Sequence, residues 1–178
     1  MGILEKTKAY LAGSIQSAKN QTWRGYVSDE LKSIGVVPYN PLDKPLLDSF
    51  PEGEEIHIWL KNCMKEKRFD EVQKFIKKVR RQDLSMVDRS DFVVSLFDPT
   101  VCSVGTCEEL SFCEKAMKPT LIAIEGGIEK TPYWLFAMFN LECFFNSIEE
   151  VIDKIKRLDS GEDKINDKYF RLLKPEYR

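Results

Sequence analysis

The sequence is short of the residues on which much enzyme chemistry depends. Among its 178 residues there is a single histidine, His57. A histidine-based catalytic triad or a multi-histidine metal site is therefore set aside. Chemistry, if present, must rest on carboxylates, hydroxyls or a thiol. Neither G-x-G-x-x-G nor G-x-x-x-x-G-K-[ST] occurs, so the dinucleotide and Walker readings fail. No apolar run approaches the ~20 residues that span a bilayer. The start, MGILEKTKAY, has no apolar core of a secretory signal. There is no charge excess either: 27 basic against 29 acidic residues leave a net charge of −2. Nothing global points to polymeric nucleic acid or to a membrane. The five cysteines are odd in number and irregular in spacing, which argues against a disulfide framework and for a reducing, cytoplasmic setting. Cys102 and Cys107 lack a second Cys or His pair to complete a zinc site. No metal and no cofactor are expected.

What is present is an ordinary globular composition, 43% hydrophobic and 31% charged, in a chain long enough for one domain with a sizeable core. We expect a single domain over residues 1–178, with its core at 8–160 and a polar tail at 162–178. KAYLA, residues 8–12, reads as a strand ending at Gly13-Ser14. Trp23, Val27, Leu31 and Ile34 have helical spacing within 18–34, and Gly35 closes that helix. Residues 35–39 form a second strand that runs into NPLDKP. Residues 55–80 are helical in one or two pieces, and a separate short helix is expected at 81–90. DFVVSLF, apolar at nearly every position, is a strand covered on both faces. A helix at 104–117, the strand PTLIAI, a short helix at 132–140, the strand ECFF and a helix opened by the Ser147/Glu150 capping box complete the order. This alternation predicts an α/β fold, a flavodoxin-like, doubly wound five-stranded parallel sheet. Ligands bind such sheets outside the carboxyl ends of the strands. Gly13-Ser14-Ile15, residues 98–109, and Glu125-Gly126-Gly127 all fall at those ends.

Two of these stretches carry candidate chemistry. YLAGSI places Gly13, Ser14 and Ile15 where a backbone can approach an anion, although a plain strand-to-helix turn is the more ordinary explanation of them. SVGTCEEL offers Ser103 as a hydroxyl donor, Gly105 and Thr106 as backbone donors at a helix start, and Glu109 one turn in. Ser103 as an N-cap, with Glu108 and Glu109 complementing the helix dipole, is the alternative. In RRQDLSMVDRSD, Asp91 reads as structural, and Asp83 matters only if a second carboxylate stands near it. The basic run from Lys74 to Arg81 reads as a solvated helix face. The aromatic residues between Tyr133 and Phe145 read as core or subunit interface.

These pieces, in this order, resemble the nucleoside 2-deoxyribosyltransferase-like family, including its branch of nucleoside 5′-monophosphate N-glycosidases. YLAGSI is similar to the family's first-strand Y-[FL]-x-G-[SP]-I. QDLSMVDRSDFVVSLF is similar to its D-L-x₆-D-apolar pattern. SVGTCEEL is similar to its [SD]-x-G-x-x-x-E-[LI]. The match runs from about residue 8 to 125. The insert at 55–80 and the Trp23-Arg24 pair look most like phage-type members. The resemblance implies a small-molecule nucleoside or nucleotide as substrate and cleavage or transfer at its N-glycosidic bond. Glu109 would be the nucleophile, forming a covalent glycosyl-glutamate. Asp83 would assist the leaving base, and Tyr10 would hold the glutamate. The helix dipole would keep the Glu109 carboxylate ionised.

Ser103 bears on the branch. Transferases acting on free nucleosides carry an acid there, whereas serine suits a 5′-phosphate. The hydrolases' basic residue after the first strand is replaced here by Gln16. Asp43, in NPLDKP, is expected to approach the base. A homo-oligomer, dimer or higher, is expected from the aromatic C-terminal third. The competing reading is a nucleotide-binding or sensing module of the same fold without turnover. The base, the choice of ribose or deoxyribose, and hydrolysis or transfer stay open.

Overall fold

The computed structural model describes residues 2–14, 22–43 and 54–163. Five strands form one sheet: β1 (Lys8–Gly13), β2 (Val37–Tyr39), β3 (Phe92–Phe97), β4 (Thr120–Ile124) and β5 (Phe144–Phe145). Their order is β2-β1-β3-β4-β5, and every neighbouring pair is parallel. This is the flavodoxin-like α/β arrangement expected from the alternation. The chain reverses its direction of winding between β1 and β3, so the crevice of the fold opens at the ends of those two strands.

The helices are α1 (Thr22–Ser33), α2 (Glu54–Lys65), α3 (Phe69–Arg89), α4 (Val104–Lys115), α5 (Tyr133–Met138) and α6 (Ile148–Asp159). Successive strand side chains alternate between the faces of the sheet. Ala9 and Leu11 of β1 therefore pack with Val27 and Leu31 of α1 and Val151 and Ile155 of α6. Tyr10 and Ala12 pack on the opposite face with Met86 and Val87 of α3, Leu110 and Cys113 of α4, and Leu135 of α5. Both faces of β3 are thus covered, which explains its unbroken apolar run.

The helix expected at 81–90 is not separate: α3 runs as 21 residues through Phe69–Arg89. No glycine or proline interrupts it, and Met86 and Val87 carry its apolar stripe onward to the sheet. The break that does occur lies between α2 and α3, where Lys67 has φ +59. α4 stops at Lys115 rather than 117, because Met117 turns to φ +50. Gly35 closes α1 with φ +78, and its N–H bonds the Lys32 carbonyl. Half of the expected capping box forms at α6: Ser147 accepts from the Glu150 N–H, while the Glu150 carboxylate accepts from the N–H of Asn146, one residue before the cap, at 2.9 Å. Asp91 accepts from the Lys8 N–H at 2.8 Å, tying the start of β3 to β1. Residues 164–178, most of the expected tail, lie outside the described residues.

Candidate active site

Tyr10 sits in β1 and Glu109 in α4, and the sheet brings them together. The Tyr10 hydroxyl donates to Glu109 Oε1 at 2.7 Å in a buried hydrogen bond. Tyr10 is 0% exposed and Glu109 8%. Asp83, on α3, is buried as well. Its negative charge acts on both Tyr10 and Glu109. Three chain segments that are remote in sequence thus converge on one buried cluster.

Burial of this kind disfavours charge. The Glu109 carboxyl is pushed up to about 8. Burial is the foremost cause, and the Asp83 and Glu108 charges add to it. The Tyr10 hydrogen bond and the Arg24 charge oppose the rise. The Tyr10 phenol is likewise driven well above its ordinary value, first by burial and then by the two carboxylates. The expectation that the helix dipole keeps Glu109 ionised is therefore wrong. The first turn of α4 holds no acid at all. Glu109 is the sixth helical residue, beyond the short reach of the dipole, and desolvation outweighs it.

Glu108 points elsewhere. Its carboxylate takes a bidentate contact from the Arg80 guanidinium, with one bond at 2.7 Å. This exposed pair joins α3 to α4 and holds the Glu108 carboxyl below its ordinary range. Adjacent helical residues lie about 100° apart, so one glutamate faces the cluster and the other faces Arg80.

Ser103 precedes α4 but makes no side-chain cap bond. Its hydroxyl instead meets the Thr106 hydroxyl at 2.7 Å. Thr106 is buried one turn before Glu109. Gly105 is exposed, and a Cβ built there would meet nothing within 4 Å. Packing does not demand glycine at that position.

Gly13 is the opposite case. A Cβ there would lie 2.9 Å from the Leu96 carbonyl oxygen and 3.2 Å from an Arg24 guanidinium nitrogen. Next to it, Ser14 is buried, and its hydroxyl finds no hydrogen-bond partner among the described residues. Such a group is costly unless something completes it. Ile15 and Gln16 lie outside the described residues. Asp43 is exposed in a turn, where its N–H bonds the Asn40 carbonyl. No hydrogen bond among the described residues joins it to the cluster.

The third stretch, Glu125-Gly126, lines a different space. A cavity of about 800 Å³ lies beyond the ends of β3 and β4, between Trp23, Asp98, Thr100, Glu125, Lys130 and Glu149 among others. Tyr10, Asp83, Ser103, Thr106 and Glu109 do not line it. Among the described residues no group of acids, cysteines and histidines could hold a metal ion.

Two buried polar residues were not among the candidates the sequence offered. Arg24, third in α1, is 0% exposed and grips the end of β1. Ser95, mid-strand in β3 opposite Ala12, is fully buried with its hydroxyl unsatisfied among the described residues. Ser95 had a legible signal, being the one polar residue in FVVSLF. Arg24 had none, since an arginine in an amphipathic helix reads as solvated.

No family model and no curated protein matches the chain. Solved structures do. A 2-deoxyribosyltransferase from the psychrotolerant bacterium Bacillus psychrosaccharolyticus superposes with a TM-score of 0.56 at 16% identity, over 83% of this chain and 91% of that one. The chain shares that enzyme's fold. A CMP N-glycosidase of Clostridium botulinum, BcmB, superposes with a TM-score of 0.47 at 14% identity, over 84% of this chain and 98% of that one. Among the described residues no helix is long and apolar enough to cross a membrane.

Proposed function

We propose that the protein cleaves or transfers the N-glycosidic bond of a (deoxy)nucleoside or its 5′-monophosphate through a glycosyl-glutamate. The observation that carries this reading is the buried Tyr10–Glu109 hydrogen bond with the Asp83 charge beside it. The three-motif resemblance and the fold shared with a 2-deoxyribosyltransferase support it.

In this account a Glu109 carboxylate oxygen attacks the anomeric carbon and forms the C–O bond. The C–N bond breaks, and the base leaves with the electron pair. Asp83, in its protonated form, donates a proton or a hydrogen bond to the departing base. Water or a second base then attacks the same carbon and gives up its proton to the Asp83 carboxylate, and the bond to Glu109 breaks to restore its carboxylate, which is the retaining two-carboxylate logic. Tyr10 orients the attacking oxygen and lowers the cost of its charge. Ser103, Thr106 and the open Gly105 face the sugar's 5′ end, together with the unsatisfied Ser14 hydroxyl. With serine rather than an acid at 103, a 5′-phosphate is the better fit. Asp43 is assigned to the base.

The test is incubation with a panel of free nucleosides and 5′-monophosphates, with free base read by chromatography. Base release by the wild type and its loss in Glu109→Gln support the reading. No release from any member of the panel overturns it. We assign the protein a homo-oligomeric state, because Tyr133 and Trp134 stand 92% and 79% exposed on α5. A monomer by light scattering at micromolar concentration would contradict that assignment.

A further inference from the structure

We infer that Arg24 is a positioning residue for this reaction: it braces the end of β1 that carries Gly13 and Ser14, and it supplies the buried positive charge that the Glu109 nucleophile requires. The inference rests on the glycosidic reading above, but its decisive test does not depend on turnover.

The geometry is specific. The Arg24 guanidinium donates to the carbonyl oxygens of Gly13 at 2.7 Å, Ser14 at 3.4 Å and Leu11 at 3.4 Å. Its carbon lies 4.8 Å from the centre of the Trp23 ring, so the fork is held from one side by an aromatic face. Gly13 leaves room for it, since a Cβ there would come within 3.2 Å of the guanidinium. An arginine fork offers five donors in one plane. Here three of those donors go to carbonyls at the end of β1 and just beyond it.

Charge explains why a cation stands in such a place. Two carboxylates and a phenol are buried in one cluster, and a buried anion is costly unless countered. Among the described residues Arg24 is the only basic side chain that is buried. Its charge favours the ionised forms of both Glu109 and Tyr10. The groups facing Glu109 from the elements around it are Tyr10 from β1, Asp83 from α3, Arg24 from α1 and, on its own helix, Glu108. Glu108 is already engaged by Arg80. Among the described residues Arg24 is the positive group whose charge offsets the burial of Glu109.

A pure backbone clamp and a charge partner differ in one respect. A clamp is worth the same at any pH, because neither Arg24 nor the carbonyls titrate. A charge partner matters more when Glu109 is ionised. We therefore compare urea unfolding of wild type and Arg24→Gln at pH 6 and pH 9, on either side of the Glu109 value of about 8. The loss caused by Arg24→Gln is expected to be larger at pH 9 than at pH 6, by about fivefold in the unfolding equilibrium constant for a rise of about one pH unit in the Glu109 value. In the Glu109→Gln background that difference disappears. An equal loss at both pH values overturns the inference and leaves Arg24 a clamp alone. If Arg24→Gln does not fold at pH 9, the double variant with Glu109→Gln decides: recovery of the fold supports the charge role, and a chain that stays unfolded overturns it. In activity, the acid limb of base release should move up by about one pH unit in Arg24→Gln, while Arg24→Lys, which keeps the charge, should hold the wild-type limb. If the wild type releases no base, the glycosidic reading fails, and the pH-dependent coupling still tests Arg24.

Discussion

The Tyr10 hydroxyl donates to the Glu109 carboxylate at 2.7 Å, across 99 residues of sequence. It is a charge-assisted bond once Glu109 ionises, worth roughly 1.5–3 kcal/mol. Tyr10→Phe should therefore lower kcat/KM by about ten- to a hundredfold. It should also move the acid limb of the pH–rate profile upward, because the hydrogen bond opposes the rise of Glu109 to about 8. A Tyr10→Phe enzyme with the wild-type rate and limb would show that the bond does not serve the reacting state.

Burial of Glu109 should be visible in stability. Its carboxyl is raised from an ordinary 4.5 to about 8 in the folded protein. Between these values the native state holds a proton that the unfolded chain has lost, so stability falls as pH rises through that window. Glu109→Gln should remove this part of the slope and be most stabilising, relative to wild type, above pH 8. Urea midpoints from pH 4 to 9 check it. A variant whose curve runs parallel to wild type throughout would mean that Glu109 is not the titrating group.

The two glycines of the site should separate packing from binding. Gly13→Ala pushes a methyl group to 2.9 Å from the Leu96 carbonyl, so it should cost about 1–3 kcal/mol of stability. Gly105→Ala meets open space, and alanine in a helix should hold or raise stability by up to about 1 kcal/mol. If Gly105 faces the substrate, KM rises in that variant all the same. Thermal melts with steady-state kinetics distinguish the two; a destabilised Gly105→Ala would refute the open-space reading.

Most of the architecture was legible because it follows from pattern. The run FVVSLF could only be a strand covered on both faces, and Ser147 with Glu150 marked the start of α6. The long α3 was less so: a stretch with many charged residues between 69 and 89 gives no internal stop signal, and only the turn at Lys67 divides it from α2. Within the site, local spacing placed Glu109 and Asp83 on successive helices, and the resemblance assigned their roles. What sequence could not give was burial. The helix dipole argues for an ionised Glu109, but the packing of α4 on β1 removes its water and reverses the sign. Arg24 was illegible for the same reason. Nothing in TWRGYVSDELKS says that the arginine turns inward to the end of β1 rather than outward to solvent.

The most direct measurement is mass spectrometry of the protein trapped with a slow 2-fluoro-arabino nucleoside or its 5′-monophosphate, alongside the rates of Glu109→Ala and Glu108→Ala. The account predicts a glycosylated peptide with the label on Glu109, base release lost by several orders of magnitude in Glu109→Ala, and nearly wild-type release in Glu108→Ala, whose exposed pair with Arg80 is worth no more than about 1 kcal/mol. A label on Glu108, Asp98 or Cys107, or near-normal turnover by Glu109→Ala, would contradict it.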